Sequence, residues 1–427
     1  MENKIEILRR SERSEDRSKM DIYDRSVATV GSENIDFSHK SPENNNIEFI
    51  GQGSFSCVFR PAIKCDNTID PNNPNDRFFV SKISKKDKYI DNEIHISSII
   101  QKINRYYHHF SPILENCDAD LYKLSSTTAS SIAFQKCDLF KKNDTIIEDS
   151  DDHLSDEISS SMEPYENTGL GADADGADNN VEYIYNKIRY VGHNDLYSYL
   201  ENSKNNDFTT VKWRKNYALR APFLLKNAWK DAFTYLSYSI SLLSKNSIVH
   251  YDFKGNNVMV HDKHHTPIII DFGLSIDINQ TIRGSGSDVE ERLKRAFYIY
   301  STDYEVWCPE ICFICYFTQE RSSTRALFDA ITIDDINTVC TDFMSNNEIF
   351  GEQYFNMNEQ ERETYHSTMR EFFSEFLNKP ATEAIIEITE KYYNTWDMYS
   401  LTVCFQGAVL LPVEYRKLIS ANPRDRV

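Results

Sequence analysis

The apolar positions change their rhythm along the chain. Between residues 47 and 140, short runs rich in β-branched and aromatic residues (IEFIGQGSFSCVF, RFFVSKIS) are broken by glycine and polar residues, which predicts strands. One stretch there, DNEIHISSIIQKI, places Ile94, Ile96, Ile99, Ile100 and Ile103 at near-helical spacing and predicts a helix. VEYIYNKIRYVG reads as a further strand pair. Trp229, Phe233, Leu236, Ile240 and Leu243 then recur at steps of three and four, one apolar stripe along a long helix. Short strands follow in NSIVHYD, NNVMVHD and TPIIIDFG, and from about Glu305 the pattern is mostly helical. A strand-rich half followed by a helical half predicts an α+β protein of two lobes, the first over about 47–190 and the second over about 194–427.

Two segments carry no such rhythm. Residues 1–46 are polar and mixed in charge and read as a disordered arm. The segment from about Lys141 to Asn180 is low in complexity and acidic and reads as a flexible insertion. It also explains the net charge. Of the −19, the stretch from Asp144 to Glu182 supplies 13 acidic residues with no Lys or Arg, which leaves −6 for the rest. The remainder is an ordinary, mildly acidic surface, and no nucleic-acid partner is expected. No run of 18 apolar residues suggests a membrane span. The first residues lack the apolar core of a secretory signal. A cytoplasmic location is expected, with all nine cysteines reduced and mostly in the core.

Three motifs carry chemistry. In Ile50-Gly51-Gln52-Gly53-Ser54-Phe55-Ser56-Cys57-Val58 the glycines let backbone approach phosphates closely, and SCVFR continues as a strand. That favours a strand–loop–strand flap over a dinucleotide site, although alone the motif also fits an ordinary hairpin turn. Lys82, on the next predicted strand, can reach nucleotide phosphates, with Glu93 on the following helix as its partner. Either residue alone reads equally as a surface charge, and Lys85, Lys86 and Lys88 stand close by. The third motif, His250-Tyr251-Asp252-Phe253-Lys254-Gly255-Asn256-Asn257, is followed 19 residues after Asp252 by Asp271-Phe272-Gly273. Asp252 can accept an alcohol's proton, and Asn257 and Asp271 can ligate Mg²⁺. Phosphoryl transfer needs positioning and charge neutralisation more than covalent chemistry, and these residue types supply both.

HYDFKGNN resembles the HRDLKxxN catalytic loop of eukaryotic-type protein kinases, and DFG is identical to their magnesium motif. The resemblance runs from about Ile47 to the C-terminus. It implies a kinase-like bilobal fold with ATP and Mg²⁺ in the cleft and protein substrates. Lys254 is similar to the serine/threonine branch and would contact the γ-phosphate. By the same resemblance Asp252 is catalytic, the Gly51–Val58 flap, Lys82 and Glu93 hold phosphates, and Tyr190 and Val191 line an adenine-binding hinge over Arg189–Gly192. Pro309-Glu310 resembles the end of the A-P-E motif, and Asp397 the aspartate that anchors the catalytic loop at a helix start. Arg426 would pair with Glu310. The wording of GSFSCVFRPAIKC, VHYDFKGNNVMV and FYIYSTDYEVWCPE is similar to serine/threonine kinases of large nucleocytoplasmic DNA viruses such as iridoviruses. That implies a monomer in the host cytoplasm or in a virion.

There are departures. Ser56 replaces the third glycine, and Tyr251 replaces an arginine that usually receives a phosphorylated activation loop, so control through Ser285 or Ser287 is not expected. Glu310 and Asp397 lie 87 residues apart, which predicts a helical insertion over roughly 318–392. Cys308, Cys312 and Cys315 read as buried core, with zinc the alternative. His108-His109 and His264-His265 read as polar surface pairs. Two rival functions remain open: a pseudokinase that binds without transfer, and a small-molecule kinase with a similar loop.

Overall fold

The computed structural model describes residues 47–53, 56–63, 65, 78–120, 131–141, 182–199, 228–262, 265–284, 288–319, 327–347 and 358–406. The N-terminal arm, most of the acidic insertion, Ser54, Phe55, His264, Ser285, Ser287 and Arg426 lie outside them. The architecture is α+β. A five-stranded antiparallel sheet is followed by a mostly helical remainder, and the described residues belong to one compact unit beginning at Ile47.

The sheet consists of β1 (Glu48–Gly53), β2 (Ser56–Arg60), β3 (Phe79–Lys85), β4 (Ile113–Ala119) and β5 (Tyr183–Arg189), in the order β1-β2-β3-β5-β4. VEYIYNKIRYVG is therefore one strand of this sheet, followed by the two-residue β6 (Asn194–Asp195), and not a hairpin. One sheet face buries Cys57, Phe59, Ile83 and Tyr185 against two single-turn helices, α2 (Ser131–Phe134) and α3 (Asp138–Lys141). The Phe59 ring lies 4.8 Å from Phe134 and 6.3 Å from Phe140. The helix α1 (Lys88–Ile100) begins where the Asp87 carboxylate caps the Tyr89 and Ile90 amides, and it buries Ile90, Ile96 and Ile100.

In the helical half, α4 (Ala228–Lys245) buries the predicted stripe at Phe233, Leu236, Ile240 and Leu243. Around it lie β7 (Ile248–Val249), β8 (Val258–Val260), β9 (Pro267–Ile269) and β10 (Ile276–Asp277). Then come α5 (Ile278–Arg283), α6 (Val289–Ala296), α7 (Pro309–Thr318), α8 (Ile333–Asn346), α9 (Glu359–Ser374) and α10 (Ala381–Gln406). The region predicted as a helical insertion thus holds α8, α9 and the first turns of α10. Thr332 and Asn358 start α8 and α9 with capping boxes that satisfy amides at both ends of the exchange. Cys312 and Cys315 are core residues of α7 and Cys308 is buried at its N-cap, and burial pushes the Cys315 thiol up to about 12.

Two expectations are corrected. Four cysteines are not reduced: Cys57 pairs with Cys137 and Cys65 with Cys117. Their Cα separations, 6.1 and 5.8 Å, are those of bridged residues, while the partners stand 80 and 52 residues apart in sequence, where no spacing rule reaches. His109 is not a surface residue. It is buried, stacks on Tyr235 at 5.0 Å, touches Tyr238, and its Nδ1 shares a hydrogen bond with Ser239 Oγ at 2.9 Å. Its carbonyl accepts from the Ile269 amide, so it sits where the loop before β4 crosses onto the helical half.

Burial, and secondarily His108, lowers the His109 pKa to about 4 from an ordinary 6.5. Between those values the unfolded chain binds a proton that the fold refuses. This contribution is therefore complete above pH 6.5 and is lost as pH falls towards 4, by up to about 3 kcal/mol. Urea unfolding at a series of pH values should show a steeper acid-side loss of stability for wild type than for His109→Gln.

Candidate functional site

The loop after β7 is built around an aspartate 147 residues beyond its first residue, His250. The Asp397 carboxylate accepts the His250 amide at 2.7 Å and the Tyr251 amide at 3.0 Å. Asp397 is buried, and burial raises its pKa, partly offset by His250 and by those two amides. It lies well inside α10, not at a helix start as the sequence suggested, because that helix already begins at Ala381. Tyr251 takes φ 69°, a left-handed conformation costly for a bulky residue. It is held there by Asp397 on its amide and by Trp307, whose indole N–H donates to the Tyr251 carbonyl at 2.8 Å. The Tyr251 side chain points into the core, with its hydroxyl 3.2 Å from Cys315 Sγ. Tyr251 thus fills with packing the position where a cationic side chain was missed in the sequence.

This bent loop presents Asp252. Asn257 Nδ2 donates to Asp252 Oδ2 at 2.8 Å and to its carbonyl at 2.9 Å. With its amide nitrogen so engaged, Asn257 is left with its carbonyl oxygen for a metal. Lys254 Nζ stands 3.2 Å from Asp252 Oδ1, and the Tyr304 hydroxyl donates to the same oxygen. Lys254 also reaches the Tyr304 hydroxyl at 3.3 Å. Burial and Asp252 together push the Tyr304 pKa up, so the phenol keeps its proton. The sequence assigns Tyr304 no role, since a tyrosine five residues before Pro309 follows no rule of spacing. Gly255 is required by packing, because a side-chain carbon there would collide with the Tyr197 ring.

The β8–β9 hairpin joins this loop to the next acid. Val258 faces Ile269, and the Ile270 amide donates to the Asn257 carbonyl at 2.9 Å. Asp271 follows at φ 62°, a second left-handed non-glycine residue. Such conformations cost roughly 1–3 kcal/mol and persist only where surroundings impose them. Phe272 is buried between Phe110 and His250 and supplies that constraint. The Asp271 carboxylate, by contrast, is 46% exposed.

Lys82 of β3 links the two halves. Its ammonium lies 3.0 Å from Glu93 Oε2 on α1 and 3.1 Å from Asp271 Oδ1. Burial opposes its charge, but the two carboxylates outweigh it and raise its pKa. Lys82 in turn holds Asp271 below the usual carboxylate range against burial, with His250 and Lys254 acting in the same sense. Glu93 is buried, which lifts its pKa although Lys82 pulls it down. Lys86 is spent on Asp118 and Glu182, so position singles out Lys82 among the neighbouring lysines. The face of α1 that carries Glu93 also grips the chain beyond Asp271. Asn92 donates to the Gly273 and Ser275 carbonyls, and His95 meets Asp277 at 3.1 Å.

Of the predicted flap, Ile50, Gly51, Gln52 and Gly53 lie on β1, and Ser56, Cys57 and Val58 on β2. They pair as Gly51 with Val58, Gln52 with Cys57 and Gly53 with Ser56. A side-chain carbon on Gly51 would meet nothing within 4 Å, so packing does not demand glycine there. At the predicted hinge the Tyr190 amide donates to the Phe78 carbonyl at 2.8 Å. The Tyr190 ring lies under the Arg60 guanidinium at 3.9 Å, and Val191 is buried. Gly192 is required, because a side-chain carbon would strike the Val260 carbonyl. Among the described residues no group of three or more His, Cys, Asp or Glu forms a metal cluster. A cation held by Asp271 and Asn257 would need the rest of its oxygens from elsewhere, as Mg²⁺ does when it binds with phosphates.

No protein-family model matches this chain, and no curated protein sequence matches it.

Replacing Asp397 by Ala leaves two buried amides without an acceptor and frees a strained turn. A loss of about 3 kcal/mol is expected. Denaturant titration should show the midpoint falling with the slope unchanged, and Asp397→Asn, which keeps one acceptor oxygen, should lose less.

Proposed function

We propose that the chain is a serine/threonine protein kinase that transfers the γ-phosphate of ATP to protein hydroxyls. The observation that carries this reading is the convergence of Asp252, Lys254, Asn257 and Asp271 with a lysine held by Glu93 on the opposite half. A half-buried Lys82 kept charged between two carboxylates is suited to gripping polyphosphate once Asp271 turns to a metal. The free space around Gly51 allows backbone close to that charge. Mg²⁺, when bound, would neutralise phosphate charge, with Asp271 and Asn257 as its protein ligands.

Asp252 is the base. A carboxylate offers about four lone-pair sites. Tyr304 and Lys254 share Oδ1, and Asn257 takes one site on Oδ2. One site on Oδ2 stays open for an acceptor hydroxyl, whose proton Asp252 orients and receives. Lys254 stands beside it, placed to meet developing negative charge. Tyr304 keeps the carboxylate from turning and is a positioning residue. The acceptor class, Ser/Thr, follows from Lys254 by resemblance.

A second reading, nucleotide binding without transfer, draws on the same contact, since Tyr304 and Lys254 together crowd the oxygen of Asp252.

The test is transfer of labelled γ-phosphate from Mg-ATP to a generic protein substrate, with the label assigned to Ser, Thr or Tyr. Label on Ser/Thr should fall at least about 100-fold in Asp252→Asn. Tyr304→Phe removes one hydrogen bond to a charged group, worth about 1.4 kcal/mol, and should lower kcat about tenfold with KM for ATP unchanged. ATP binding without label from either protein would leave the second reading standing, and turnover on sugars or choline but never on protein would replace both.

A further inference from the structure

The tip of the β1–β2 hairpin is fastened from outside the sheet. Gln52 and Cys57 are a directly opposed cross-strand pair at that tip. Each is held by one of two consecutive residues, Cys137 at the end of the link from α2 and Asp138 at the start of α3. Cys57 is disulfide-bonded to Cys137. Gln52 Nε2 donates to Asp138 Oδ2 at 2.6 Å, and Gln52 Oε1 accepts the Asp138 amide at 3.0 Å. The α2–α3 segment is anchored independently, because Ala133 and Phe134 are buried in one cluster with Phe59 and Ile83, and Phe140 packs on Phe134 at 4.9 Å. Breaking the disulfide would therefore leave the segment seated and loosen only the tip.

We propose that Cys57–Cys137 is a redox-operated clasp on this hairpin. Oxidised, it fixes the tip, and reduced, it releases it. Closure converts two thiols into one disulfide, and the two electrons and two protons pass to a low-molecular-weight disulfide that departs as two thiols. The consequence for a ligand rests on the kinase reading. A fixed tip spends less conformational freedom on closing over phosphates, so the oxidised protein binds nucleotide more tightly. The second bridge, Cys65–Cys117, joins β4 to the chain beyond β2 and leaves the tip alone.

The experiment compares the full chain after glutathione disulfide with the chain after a phosphine reductant. Three readouts are used: thiol counting by alkylation and mass, amide hydrogen exchange across residues 48–58, and titration with Mg-ATP. Reduction should speed exchange in 48–58, leave β3 and β5 unchanged, and weaken Mg-ATP binding about fivefold. In exchange across 48–58 and in Mg-ATP affinity, Cys137→Ala should match the reduced protein and ignore the reductant, whereas Cys117→Ala should keep the full response. Alkylation of Cys57 and Cys137 in the oxidised protein would overturn the proposal, as would exchange in 48–58 indifferent to reduction. Faster exchange on reduction with no Mg-ATP binding in either state would support the clasp and count against the kinase reading instead.

Discussion

A single buried carboxylate orders the loop that bears Asp252. Asp397 reaches from the middle of the last described helix to two successive amides, and together with the Trp307 indole it keeps Tyr251 in a left-handed turn. The anchor is reliable because of what surrounds it. Trp396 and Tyr399 beside it are fully buried, so α10 cannot rotate without opening the core of the helical half. Burial raises the energy of the charge, and the two amides lower it again. The result is a contact that is weak as a net contribution to folding and strong as a constraint on direction. The direction matters, since Asp252 and the Asn257 amide take their places from that turn.

The second constraint is a shared charge. Lys82 belongs to the sheet, Glu93 to α1 and Asp271 to the helical half, and one ammonium satisfies both acids. None of the three is comfortable without the others. A buried Glu93 without a cation would carry an uncompensated charge, and a cation without Asp271 would lose the partner that offsets its own desolvation. The position of α1 is thus tied to that of the Asp271 turn. Asn92 and His95 reinforce the tie through backbone carbonyls and through Asp277. Electrostatics here records whether the two halves are in register.

Much of this could be read before any coordinates. The stripe from Phe233 to Leu243 is a helix because its spacing leaves one apolar face. The Lys82–Glu93 pair follows from a strand and a helix adjacent in sequence, and the alternation in SCVF and FVSKIS sets which side chains meet on each sheet face. What stayed illegible has a common physical character. The bridges Cys57–Cys137 and Cys65–Cys117, the buried stack of His109 on Tyr235, and the bond from Tyr304 to Asp252 all join residues far apart in the chain or out of any periodic frame. Such contacts depend on how elements stack, and local pattern carries no record of that. Asp397 lies between: its residue type and neighbours pointed to its partner, while its place within α10 depended on helical residues from Ala381 onward that the motif does not contain.

The nine cysteines are divided without mixture. The four in the sheet half are oxidised in pairs, and the five in the helical half form no disulfide, four of them being buried. Burial keeps Cys312, Cys315, Cys340 and Cys404 protonated, and a protonated thiol is a poor nucleophile. The chain therefore carries two separate internal clocks. A reductant addresses only the sheet, while an alkylating reagent waits on openings of the helical core, so the opening of each half can be timed in the same tube by which cysteines acquire the alkyl group.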